Sequence, residues 1–216
     1  MFLTLVLVVI LLILYHQIRS LRYFSSRSTP GPHPSLFFGN LRQLWKCQSI
    51  SRQLQLWTQK YGPIYGFYEG AYQRIWVVSD VNFLEDVFIR QFSLFTSRKP
   101  IAIFLNPNEK YPNDIVQADV YSLHYSFDLW GPIDPALFYP DRHLTQQSQS
   151  AFLTFGLGPR QCIGMRFAML VIKLTLIRLL KEHTMVQSNK LEENWRLNDK
   201  RVITPQNCWI RLEKRQ

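Results

Sequence analysis

The first fifteen positions form an unbroken apolar block, with no charge and only Thr4 as a clearly polar side chain. His16, Gln17 and Ile18 follow, and the first charges are Arg19, Arg22 and Arg27. Counted through Ile18, the block reaches the lower end of the roughly 17–25 residues that span a bilayer as a helix. A cleaved signal peptide is the rival reading. Two features speak against it: no basic stretch precedes the block, and no small-x-small cleavage site follows it. Residues 1–18 are therefore expected to be an N-terminal signal anchor. The arginines behind it would hold the rest of the chain in the cytosol. Residues 19–40 then read as a basic and Pro-rich hinge, with Pro30, Gly31, Pro32, His33 and Pro34 making a stiff, non-helical spacer.

Beyond the hinge the periodicity changes. Leu44, Ile50, Leu54 and Trp57 fall near helical spacing over residues 44–61, and Tyr61-Gly62-Pro63 is a stop signal. Residues 64–68 and 74–78 are rich in aromatic and β-branched side chains and flank Glu69-Gly70-Ala71-Tyr72, which predicts a hairpin. Ser79 or Asp80 can then cap a helix carrying Phe83, Leu84, Val87 and Phe88 on one face. From 101 to 114 the pattern dissolves into turn chemistry. Residues 115–125 read as a strand, and 127–154 carry no strong element. Residues 164–181 are apolar nearly all round, interrupted by Arg166, Lys173 and Arg178, which predicts a core helix rather than a second span. The tail offers strands over 201–204 and 207–212 around Pro205, expected to pair as a hairpin.

With 47% apolar and 19% charged residues the composition is that of a globular chain. The net charge of +10 suits an anionic membrane surface or an acidic partner. The basic residues are scattered and no nucleic-acid motif accompanies them, so nucleic acid is not an expected partner. Three cysteines, Cys47, Cys162 and Cys208, are too few and too widely spaced for a disulfide framework or a zinc site.

One cysteine stands in a pattern. Phe155-Gly156-Leu157-Gly158-Pro159-Arg160-Gln161-Cys162-Ile163-Gly164 immediately precedes the apolar helix. Its five fixed positions, Phe-x-x-Gly-x-Arg-x-Cys-x-Gly, recur by chance in a chain of this length about once in ten thousand. A helix N-terminus favours the negative charge of a thiolate. Glycines admit close approach of backbone amides to the sulfur and to a flat ligand. Amide hydrogen bonds to sulfur tune the potential of a bound iron. Arg160 is placed to pair with an anionic propionate, and Phe155 to shield one face. A buried structural cysteine in a turn is the plainer reading, and the full pattern argues against it.

These residues resemble the haem-binding loop of the cytochrome P-450 superfamily, with Cys162 at the position of the axial ligand to iron. Residues 152–181 look like that loop and its following helix, with Ala168 at a common small position. Ser122-Leu123-His124, Trp130 and Phe138-Tyr139-Pro140-Asp141-Arg142 resemble the strand and meander that precede it. There Arg142 would close a salt-bridge network with the family's Glu-x-x-Arg helix, and His143 stands where an aromatic is expected. The N-terminal block, the hinge and Tyr61-Gly62-Pro63-Ile64-Tyr65 resemble the start of a microsomal member. The resemblance implies a mainly α fold with small β-sheets (α+β), haem b (iron-protoporphyrin IX) as cofactor, and oxygen-dependent hydroxylation of an apolar small-molecule substrate. It also implies an NADPH-dependent cytochrome reductase as partner and the endoplasmic reticulum membrane as location. Arg166 and Lys173 could meet that reductase or be ordinary solvated charges.

Parts of the pattern are missing from the sequence. There is no Trp-x-x-x-Arg segment, no Ala/Gly-Gly-x-Asp/Glu-Thr run, and no Glu-x-x-Arg before the meander; Glu193-Asn194-Trp195-Arg196 has the spelling in the wrong place. The expected organisation is therefore a partial fold. Residues 41–99 form its N-terminal helix and hairpin, 100–114 a deletion junction, and 115–216 the meander, cysteine loop, core helix and terminal strands. Two function classes follow: a haem-thiolate monooxygenase family member, or a non-enzymatic truncated membrane protein.

Overall fold

The computed structural model describes residues 2–96, 114–144, 148–187, 197–199, 203–205 and 209–215. The expected junction apart from Asp114, the Glu193 to Arg196 match and Cys208 lie outside the described residues. The chain forms two compact units, Met1–Pro159 and Arg160–Gln216.

The apolar block is one helix, α1 (Phe2–Leu21), of 20 residues. At 1.5 Å per residue it is about 30 Å long, the thickness of a bilayer's hydrocarbon core. Among the described residues it is the one helix long and apolar enough to cross a membrane.

The hinge is less of a spacer than its prolines suggest. The Gly66 amide donates to the Pro30 carbonyl at 3.0 Å, which pins the hinge to the hairpin. Asn40, fully buried, donates through Nδ2 to the carbonyls of Pro32 and His33. Its Oδ1 accepts from the Tyr68 amide at 2.9 Å. One side chain thus satisfies both the hinge and the sheet edge, as buried polar groups require.

The helical pattern over 44–61 is broken into α2 (Leu41–Lys46) and α3 (Ile50–Tyr61). Ser49 caps α3, its side chain accepting from the Arg52 amide, so the chain restarts a helix there. Gly62, at φ 97°, ends α3 in a conformation that favours glycine. The hairpin forms as expected, β1 (Ile64–Glu69) against β2 (Gln73–Val78). Of the two candidate caps, Asp80 is used: its Oδ1 accepts from the Phe83 amide at 2.7 Å and opens α4 (Val81–Glu85). The buried face of this segment is Leu84 and Val87, while Phe83 turns outward.

The strand expected over 115–125 is only its first half. β3 (Asp114–Ala118) pairs parallel with β2, giving a sheet in the order β1-β2-β3. Asp119 then ends it by capping α5 (Val120–His124): its carboxylate accepts from the Ser122 amide, the Ser122 hydroxyl and the Thr58 hydroxyl. A buried acceptor with three donors outweighs the β-propensity of Val120 and Tyr121. A single turn, α6 (Phe127–Trp130), and short 3₁₀ turns follow, in keeping with the weak pattern there.

The sheet alternates as a two-sided strand set should. Tyr65, Phe67, Ile75 and Val77 pack with Leu54 and Trp57 of α3. Gly66, Tyr68 and Trp76 face the other way and receive Phe24, which is 4% exposed. A Cβ at Gly66 would be driven into the Phe24 ring, so glycine here is what lets the hinge lie on the sheet. A second cluster gathers Val78, Leu84, Leu123, Leu153 and Leu157.

The second unit starts with α7 (Met165–Glu182), close to the expected 164–181. It runs straight into β4 (His183–Gln187). The short strands β5 (Leu197–Asp199) and β6 (Ile203–Pro205) pair antiparallel with each other. β7 (Ile210–Lys214) pairs antiparallel with β4. The hairpin expected between the two tail strands is thus corrected: each takes an earlier partner. His183-Thr184-Met185-Val186, continuing from the helix with one β-branched pair, gave too short a pattern to be read as a strand. None of the residues of α7 is buried. Phe167 is 72% exposed and Ile177 64%.

Candidate functional site

The approach to the cysteine loop is built in the first unit. Leu153 and Leu157 enter the second apolar cluster, which fixes the segment on either side of Phe155. The Leu153 amide donates to Nε2 of His124 at 3.0 Å. Gly158 has φ 70°, and a Cβ there would collide with the Phe88 carbonyl, so glycine is demanded twice, by conformation and by packing. Phe155 is half-buried. Leu157, at an unspecified position of the motif, and His124, placed by resemblance only in the segment before the loop, are the positioning residues that pattern alone passed over.

The meander before the loop is organised around Arg142. Its guanidinium donates to the carbonyls of Tyr139, Trp130, Ile133, Asp134 and Leu137, at 2.9–3.2 Å. One planar cation thereby closes a turn that has little regular structure of its own. His143 fills the expected aromatic place as an aromatic does, its ring 5.5 Å from Trp130 and 5.7 Å from Phe152.

Burial, and after it the neighbouring His143, push the pKa of His124 below the usual histidine range. Its Nε2 must be unprotonated to accept from Leu153. A histidine with a lowered folded pKa contributes stability above the unfolded value of about 6.5 and loses it as pH falls through that value toward the folded one. The first unit is therefore expected to melt at progressively lower temperature below about pH 6.5. His124→Gln, which keeps an acceptor but does not titrate, should flatten that arm in a melting series. An unchanged slope would remove His124 as its cause.

The second unit supplies Arg160, Cys162 and Gly164. Cys162 is exposed and in no disulfide. It lies two residues before Gly164, the N-cap of α7, which has no side-chain cap. The Cys162 carbonyl accepts from the Met165 amide at 3.3 Å, which turns the loop into the helix. Gly164 is informative. Its φ of −84° suits any residue, and a Cβ there would stand 4.0 Å from the sulfur, in ordinary contact. Neither backbone nor local packing demands glycine. An exposed thiol just before a helix N-terminus is a soft donor of the kind iron accepts. Among the described residues no cluster of three or more His, Cys, Asp or Glu could hold a metal ion.

The sequence model of the family described as Cytochrome P450 matches residues 111–207, which include the meander, the cysteine loop and α7. Over this span the chain is similar to the cytochrome P450 family. Haem is the cofactor of that family. The chain is 41% identical over 103 residues to putative cytochrome P450 CYP13A2 of Caenorhabditis elegans, covering 46% of this chain and 20% of that protein. It is 31% identical over 154 residues to putative cytochrome P450 CYP13A1 of the same organism, covering 64% of this chain and 29% of the relative. Cytochrome P450 3A27 of Oncorhynchus mykiss is 32% identical over 111 residues, 49% of this chain and 21% of the relative. The chain thus matches between a fifth and three tenths of the length of these relatives.

Proposed function

We propose that the chain is a membrane-anchored haem-thiolate monooxygenase family member that does not hydroxylate substrate on its own. Haem, when bound, supplies the redox centre at which oxygen is activated for insertion into an apolar small molecule. Cys162 would ligate its iron, and Arg160 would pair with a propionate. Phe155 and Gly158 would shape the loop, and Gly164 would leave room beside the sulfur. Arg142 would hold the meander that precedes the loop through its hydrogen bonds to the meander's own carbonyls. Arg166 and Lys173, exposed on α7, offer positive charge to an acidic reductase surface. The Arg19, Arg22 and Arg27 flank supports a single-pass orientation in the endoplasmic reticulum with the bulk of the chain cytosolic.

The observation that carries the reading of incompetence is the sequence ahead of the meander, which holds no Ala/Gly-Gly-x-Asp/Glu-Thr run and no Glu-x-x-Arg. The same gap favours the second reading, a non-enzymatic truncated membrane-bound isoform or degenerate gene product.

The test is a reduced carbon-monoxide difference spectrum of the expressed chain supplied with haem. The expected result is no stoichiometric thiolate-type Soret band. A stoichiometric band abolished by Cys162→Ser would overturn the reading and restore the enzyme. Sequencing the transcript across codons 100–114 separates a skipped middle from a complete gene.

A further inference from the structure

The basic residues that follow α1 are not a loose polybasic tail. They line a cleft of about 930 Å³ between the end of the helix and the hairpin, whose walls include Arg19, Arg22, Arg27, Arg74, Tyr23 and Tyr72. Tyr23 is the centre of its construction. The Arg27 guanidinium lies 3.8 Å from the ring centroid and that of Arg74 lies 3.9 Å from it, so one aromatic ring holds two cations. Arg74 is oriented further by Asp114, which accepts from its Nε at 2.7 Å and from its Nη2 at 2.9 Å. Arg19 and Arg22 are exposed and make no ion pair among the described residues. Of the four guanidinium groups only that of Arg74 is paired with a carboxylate, and among the described residues no acidic side chain lines the cleft.

The position of the cleft sets its depth. The end of α1 is held to the hairpin by Ser20, whose hydroxyl donates to the Ala71 carbonyl at 3.2 Å, and by the His16 ring 5.7 Å from that of Tyr72. The apolar run ends at Ile18, so a helix filling the hydrocarbon core places Arg19 and the cleft in the headgroup layer. Guanidinium groups are suited to bidentate pairing with phosphate oxygens, and an anion among several like charges relieves their repulsion. The volume is larger than a phosphate alone needs, so the headgroup substituent enters with it. We propose that this cleft is a binding site for the phosphate-bearing headgroup of an anionic phospholipid in the leaflet that α1 enters. It rests on the anchor reading of α1.

The test uses the full chain reconstituted in phosphatidylcholine bilayers doped with a minor fraction of phosphatidylinositol. The lipid retained with the protein is counted by native mass spectrometry. The expected result is selective retention of phosphatidylinositol. Each arginine near the surface is worth about 1 kcal/mol toward anionic lipid, so Arg22→Gln with Arg27→Gln should cut retention about ten-fold or more. Tyr23→Leu keeps the net charge but removes the ring that gathers Arg27 and Arg74, and should cut retention several-fold, while Tyr23→Phe should preserve it. Full retention in Tyr23→Leu would reduce the site to diffuse charge and overturn the proposal, as would release of the lipid by inorganic phosphate. Carbonate extraction separates the two readings: a chain that resists extraction but shows no selective retention overturns the cleft alone, and a chain that is extracted overturns the anchor and the cleft together.

Discussion

Arg142→Ala should destabilise the first unit by about 3–5 kcal/mol, seen as a fall of roughly 10 °C in its melting midpoint in detergent. The five carbonyls that the guanidinium reaches come from residues 130, 133, 134, 137 and 139, a stretch that contains only one helical turn. A hydrogen bond from a charged donor contributes about 1.5–3 kcal/mol. The five are not additive, and Arg142 is itself half-exposed, so the expected loss is well below their sum. Removing the cation also leaves the Trp130 and Ile133 carbonyls without this donor. Trp130 is buried and donates through its indole N–H to the Leu123 carbonyl at 2.9 Å, so loosening the meander reaches the second apolar cluster. Arg142→Lys should recover little, because an ammonium cannot reach carbonyls spread around a planar fork. A midpoint within 2 °C of the wild type for the alanine variant, or full rescue by lysine, would sink this account.

Arg142 also shows where sequence reasoning ran short. The resemblance gave it a salt-bridge role toward a Glu-x-x-Arg helix, a pattern that does not occur before the meander in this sequence. Its donors go to the meander's own carbonyls, a duty that leaves no trace in side-chain pattern because any residue supplies a carbonyl. Elements with period and length were legible: α1, α7 and the β1-β2 hairpin stand where the pattern put them. Elements decided by one polar side chain were not. Ser49 splits one expected helix, and Asp119 turns the second half of an expected strand into α5, each by a local hydrogen bond that competes with propensity. The tail pairing was missed for another reason. Strand partners are long-range choices, and β4 pairs with β7 across more than twenty residues of chain that carry no turn signal for it.

The candidate site residues Phe155, Gly158, Arg160, Cys162 and Gly164 came from the motif and the family it resembles. The structure separates glycines that the motif treats alike. Gly158 is required by its own φ and by the Phe88 carbonyl, whereas Gly164 is required by nothing in the loop itself. His124 and Leu157, which do hold the approach to the loop, occupy positions where many residues would satisfy the pattern.

Removing residues 2–14 should move the chain from the carbonate-resistant pellet to the supernatant, the largest effect expected of any change considered. Thirteen Leu, Ile, Val and Phe residues lie between positions 2 and 18. At about 0.3–0.6 kcal/mol each on the insertion scale they favour the membrane by roughly 4–8 kcal/mol, before the cost of Gln17 and His16 is counted. The truncation spares His16, Gln17 and Ser20. Gln17 is 5% exposed and Ser20 bonds to Ala71, so the helix end still packs on the hairpin and release reports on the bilayer rather than on a lost contact. Leu11→Arg is the subtler probe. A central arginine costs about 2.5–3.5 kcal/mol on the same scale, enough to release part of the chain but not all of it. A full-length chain that leaves the pellet, or a pelleted chain that has lost its N-terminal residues, would each overturn the anchor.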